Sequence, residues 1–199
     1  MALTFFFRDM QALDAITSHV IPHLAGHRHL DIWDAGCASG EEPYTLAILL
    51  KENMGEFQFR NVRILATDLN ASFQKTVGDA VYSEDQVRRI PDDIRRKHFE
   101  PAGDGDKVKV KDEIRRAVAF HHHDLTSLKP IRDELGLIVC KNVLLHLSPA
   151  QRIDVYHMFY DALSAKGFLA TEMTQKMPPQ AAEWFVPVHG DGPVFQRAA

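Results

Sequence analysis

Only two cysteines occur in 199 residues, Cys37 and Cys140, so a disulfide framework is excluded and a reduced, cytoplasmic protein is expected. No apolar run approaches the roughly 20 residues needed to span a bilayer, and the aromatic start MALTFFFRDM has no secretory h-region. Basic excess is also missing. The formal net charge is −4, which argues against a nucleic-acid partner. No P-loop Gly-Lys-Ser/Thr appears, and the glycine spacing of a dinucleotide loop is incomplete because Ala38 stands where its middle glycine belongs.

What is present is an alternation of apolar strands and helices. RDMQALDAITSHVIPHL (8–24) has helical spacing. LDIWDAG is a short strand, and EEPYTLAILLKENM is a helix with acids at its positive end and Pro43 in its first turn. NVRILATDLN is a second strand, and ASFQKTVGDA a helix expected to break at Gly78. Residues 79–117 turn polar, with the turn AGDGDK and the alternating DKVKVKDEI, and predict a small antiparallel insertion within a single domain spanning 1–199. AVAFHHHDL and LGLIVCKNV are expected as buried strands. SPAQRIDVYHMFYDALSAKG is expected as a helix stopping at Gly167, and GFLATEM as a strand. AEWFVPVH and GPVFQRA form a closing antiparallel pair. The fold class is therefore α/β: a Rossmann-like, mostly parallel doubly wound sheet with a C-terminal antiparallel hairpin.

Such sheets bind ligands beyond the carboxyl ends of their strands. Those ends carry Asp34-Ala35-Gly36, Asp68, Asp124 and Asn142. Gly36 and Gly40 allow positive φ or close approach of a ligand. Glu41 and Glu42 would repel a pyrophosphate but suit an ammonium or sulfonium, and S-adenosylmethionine carries both. Asp68 then suits ribose hydroxyls, Asp124 with Leu125 an adenine, and Asn142 the reactive end. Taken singly, each has a plainer explanation as a turn, a cap or a dipole partner. His121, His122 and His123 alternate across a strand and do not converge on a metal, so no metal site is expected. Phe5-Phe6-Phe7 is expected to wedge the N-terminal segment over the cofactor.

In order, TFFFRD (4–9), WDAGCASGEEPYTLAI (33–48), ILATDLN (64–70), RIP (89–91), FHHHDL (120–125) and IVCKNVLLHL (138–147) resemble the CheR-type chemotaxis-receptor methyltransferases, from Thr4 to Phe195. The resemblance implies a class I methyltransferase that converts S-adenosylmethionine to S-adenosylhomocysteine while methylating a glutamate of a chemoreceptor-like protein. It implies cofactor contacts from Thr4, Arg8, Glu42, Asp68, Asp124, Leu125, Asn142 and Val143. Arg8 matches the position where the family has an arginine beside the transferring methyl, and His146 a tyrosine position there. In some members the inserted subdomain docks a receptor peptide by strand addition. The departures are Lys141 for an arginine, His146 for the tyrosine, ATEMTQKMP without the usual glycine, and a start three residues before Thr4, where a helical domain usually precedes. They leave open a small-molecule or non-receptor protein acceptor, or a non-catalytic sensing or docking module.

Overall fold

A computed structural model describes residues 4–103, 105–174 and 176–199. Asp104 in the turn AGDGDK, Gln175 in ATEMTQKMP and residues 1–3 lie outside the described residues.

The first helix runs as α1 (Met10–Ala15), a π turn (Ile16–Val20) and α2 (Ile21–Leu24). After β1 (Leu30–Ala35) comes α3 (Glu41–Met54), residue for residue the helix expected from its acidic first turn. A short α4 (Glu56–Phe59) leads to β2 (Val62–Asp68) and α5 (Phe73–Asp79). α5 passes through Gly78 instead of breaking there. Its stop is Ala80, whose φ of 53° is left-handed. Residues 81–115 hold β3 (Val81–Ser83), α6 (Glu84–Val87), α7 (Asp92–His98), β4 (Phe99–Pro101), β5 (Lys107–Val110) and α8 (Asp112–Arg115). The three strands form an antiparallel sheet in the order β3-β5-β4, and the short helices were not foreseen.

β6 (Val118–His122), β7 (Leu135–Val139), α9 (Pro149–Ala162), β8 (Leu163–Ala170), β9 (Phe185–Pro187) and β10 (Val194–Arg197) complete the chain. The main sheet has seven strands in the order β6-β2-β1-β7-β8-β10-β9. The first five are mutually parallel, and β10 pairs antiparallel with both β8 and β9. Neighbouring residues face opposite sides: Ile32, Ile64, Leu137 and Phe168 belong to one core, and Trp33, Leu65, Ile138 and Leu169 to the other. α1 to α3 cover the first face and α9 the second, so the central strands are apolar on both sides.

Two expectations are corrected here. β6 was expected to be buried, yet it is an edge strand with Ala119, His121 and His122 exposed, because only β2 flanks it. α9 ends at Ala162, not Gly167, and Leu163 already turns extended into β8. Gly167 serves a different need: a Cβ there would lie 2.8 Å from the Leu135 carbonyl, at the irregular start of the β7–β8 pairing. The start of α9 is closed by a capping box, with Ser148 Oγ accepting from Gln151 N–H.

The sheet order reverses at β1, which has β2 on one side and β7 on the other. The crevice at their carboxyl ends is where a doubly wound sheet places a ligand.

Candidate functional site

The loop after β1 hooks onto β2, with the N–H groups of Gly36 and Cys37 donating to the Thr67 carbonyl at 2.8 and 2.9 Å. Asp68, at the end of β2, then fixes the loop. Its Oδ2 accepts from Ala38 N–H at 3.0 Å and its Oδ1 from Asn70 N–H at 2.9 Å. A carboxylate with one protein donor per oxygen keeps lone pairs for further donors such as hydroxyls.

The glycines answer to packing inside the protein. Gly36 (φ 106°) would place a Cβ 2.1 Å from Val143 Cγ2, and Gly40 (φ 100°) 2.7 Å from the Tyr82 hydroxyl. The walls of the crevice, one after β1 and one after β7, touch at Gly36 and Val143. Ala38, Asn142, Phe7 and Asp9 also have positive φ. Such strain costs about 1–3 kcal/mol per residue and clusters at functional sites.

An N-terminal segment lies across this crevice. Phe6 is buried edge-on against Tyr82 and Phe99 of the small sheet, with centroids 4.9 and 5.5 Å away. Phe7 N–H donates to Thr45 Oγ1 at 3.1 Å. Phe5 stacks under the guanidiniums of Arg8 and Arg89. Arg8 Nη2 donates to Asn142 Oδ1 at 3.1 Å, which brings two expected site residues together. Thr4 begins this segment, half-buried.

Beneath lies a charged network. Lys141, whose side chain is only 2% exposed, holds Glu42 Oε2 at 2.7 Å and Asp9 Oδ2 at 3.6 Å. It also donates to the Arg8 carbonyl at 3.3 Å. Burial alone would lower the Lys141 pKa, but Glu42 and then Asp9 and Asp34 outweigh it and leave it raised. Glu42 thus pairs with a protein cation. Glu41 is more than a helix-dipole partner: it is buried and accepts from Ser39 Oγ at 2.7 Å and Gln86 Nε2 at 3.2 Å. Asp34 is fully buried, and neither of its oxygens finds a hydrogen-bond donor among the described residues. Burial, then the Glu42 charge, push its pKa well above the usual carboxylate range.

Sequence reasoning missed Glu172. It is 3% exposed, its Oε2 accepts from Asn142 N–H at 3.0 Å, and its Oε1 has no donor among the described residues. Tyr82, whose hydroxyl donates to the Ser39 carbonyl at 3.0 Å, was missed as well.

The remaining expected residues make local contacts. Asp124 Oδ1 caps the following turn, accepting from Thr126 N–H and Oγ1 at 2.8 and 2.7 Å. Leu125 packs in the core with Trp33 and Leu65. His146 is exposed on the 3-10 turn Leu144–His146. His122 and His123 bond the carbonyls of Leu69 and Lys129.

The arrangement fits a cationic ligand with hydroxyls. Asp34 and Glu172 bring buried carboxylate oxygens without hydrogen-bond donors among the described residues, and such oxygens are costly unless an N–H or a cation arrives.

Comparison with known proteins agrees with this fit. The family model described as CheR methyltransferase, SAM binding domain matches residues 2–192. A chemotaxis protein methyltransferase of Borreliella burgdorferi is 32% identical over 174 residues, 83% of this chain and 61% of the relative. One of Listeria innocua is 34% identical over 166 residues, 82% of this chain and 61% of the relative. The chain thus spans about three-fifths of the length of these relatives. Among solved structures it is similar to a TehB-like SAM-dependent methyltransferase of Corynebacterium glutamicum (TM-score 0.45, 17% identity, 81% of this chain and 60% of that one), a likeness too distant to bear on activity.

Proposed function

Because the chain belongs to the family of the CheR methyltransferase SAM-binding domain, we propose that it transfers the methyl group of S-adenosylmethionine to a glutamate carboxylate of a chemoreceptor-like protein in the cytoplasm. The observation that carries the reading is the buried acidic crevice at the β1/β7 switch, roofed by a segment that presents Arg8.

When bound, the cofactor supplies an electrophilic methyl on sulfur, and the chain's task is placement. Glu42 and the Gly36 loop hold the cationic end, and Asp68 the ribose. Asp124 and Leu125 flank the adenine. Thr4, Asn142 and Val143 close the remaining sides. Arg8, steadied by Asn142, orients the acceptor carboxylate with parallel N–H donors. We assign His146, exposed on its 3-10 turn, to the acceptor side. A carboxylate is a competent nucleophile at neutral pH, so alignment and water exclusion suffice and no general base is required. β4 is an edge strand of the small sheet, beside a cavity of about 450 Å³ lined by Glu84, Arg95, Arg96, Phe99 and Lys107. That edge supports peptide docking by strand addition.

A second reading keeps the cofactor and changes the acceptor to a small molecule or another protein. Glu172 Oε1, buried without a donor among the described residues, favours an acceptor bearing N–H or O–H. Transfer of labelled methyl separates the two. A base-labile ester on a receptor fragment, lost in Arg8→Ala, supports the first, whereas a base-stable product supports the second. Cofactor binding without any turnover would leave only a sensing module.

A further inference from the structure

Asp34 is the least explained group in the molecule. It ends β1 at the switch point, is 0% exposed, and has no donor to either oxygen among the described residues. Its neighbour is another carboxylate, Glu42 of α3. Two ionised carboxylates are both acceptors and repel, so side by side in a buried place they come to rest by holding one proton between them. The Lys141 ammonium offsets this only in part, and burial and Glu42 outweigh it. Lys141 spends its contacts on Glu42 Oε2 at 2.7 Å and Asp9 at 3.6 Å. Arg8 lies 3.8 Å from Asp9. Asp68 adds a further negative charge, while Cys37 and Cys140 are buried thiols whose pKa values are themselves raised by burial.

We propose that Asp34 and Glu42 share one proton in the cofactor-free protein, and that the ammonium of the incoming cofactor displaces it, so that cofactor binding is coupled to proton release. This rests on the S-adenosylmethionine reading above. The exchange balances: the Asp34 O–H bond breaks, its proton passes to solvent, and the three N–H donors of the ammonium take its place between the two carboxylates. Asp34 is thereby a positioning residue for the cationic end, and affinity climbs with pH, about tenfold per unit while one proton is displaced.

The test is calorimetric titration of S-adenosylhomocysteine, which carries the same ammonium, into the protein in buffers of differing ionisation heat at one pH. About one proton released per site is expected, and none in Asp34→Asn. Binding with no release, or an undiminished release in Asp34→Asn, overturns the inference and leaves the cofactor reading standing; absence of binding by the folded wild type overturns both. Should Asp34→Asn fail to fold, infrared difference spectra of the wild type decide. A protonated-carboxyl band lost on ligand addition supports the shared proton, and no such band refutes it.

Discussion

Buried charge is treated differently at the two ends of α3. At its first turn, Glu42, Lys141, Asp9 and Asp34 crowd together, with carboxylate oxygens that have no donor among the described residues. At its last turns, Lys51 meets Glu113 of α8 at 2.7 Å, and Glu52 accepts from Lys97 at 2.7 Å and His98 at 2.8 Å. The second cluster fastens the small sheet to the main one and keeps its charges paired near solvent. The first collects three carboxylates around the one buried ammonium of Lys141. Carboxylate oxygens without a donor among the described residues gather at the first cluster, whereas Glu52 and Glu113 at the second are both paired.

The largest effect that tests this contrast is Glu42→Ala. It strands the Lys141 ammonium in the interior and should lower stability by about 3–5 kcal/mol in denaturant titrations. Glu52→Ala strands only the imidazole of His98, since Lys97 is 61% exposed, and should lower it by about 1–3 kcal/mol. Equal losses would break the comparison. Asp68→Ala comes next. It removes a charged hydrogen-bond acceptor, and S-adenosylhomocysteine should bind about 1.5–3 kcal/mol more weakly by calorimetry. Tyr82→Phe is milder. It removes the bond from the small sheet to the Ser39 carbonyl and should weaken cofactor binding by about 1 kcal/mol; unchanged binding would show that the small sheet does not steady the glycine loop.

The finest test is the sign of two pH slopes in thermal melts without cofactor. Burial and Glu42 raise Asp34 above its ordinary 3.8. The folded state therefore holds a proton that the unfolded chain has lost, and stability falls as pH rises from near 3.8 through the raised value. Burial lowers His98 below its ordinary 6.5, against the pull of Glu52. The unfolded chain then binds the extra proton, so stability falls as pH drops from 6.5 through the lowered value. Asp34→Asn should flatten the first slope and His98→Gln the second. A slope that survives its substitution belongs to other groups.

The main framework was legible because continuous apolar strands and an acid-first helix leave few alternatives: β1, β2, β7 and α3 lie where their residues indicate. The exposure of β6 was not, since edge or centre is decided by which strand comes to lie beside it. Gly167 misled because close backbone approach and helix termination use the same residue. At the site, the Arg8, Asp68 and Asn142 positions follow from motif order, and the pairing of Lys141 with Glu42 does not, because a lysine's reach shows only in three dimensions. Glu172 and Tyr82 stand outside the glycine-loop pattern and gave no local signal of where they would point.

The π turn at Ile16–Val20 bears on how the gene can change length. Such a turn holds one residue more than an α-helical turn. The helix can therefore lose a codon at the exposed Ser18, tighten to regular geometry, and leave Leu13 and Leu24 on the sheet with Arg8 still over Asn142. The same loss inside β7 would turn every following side chain of the strand to the opposite face. Spare length in this protein is stored beside the cofactor roof, in the element that can give it up without moving the roof.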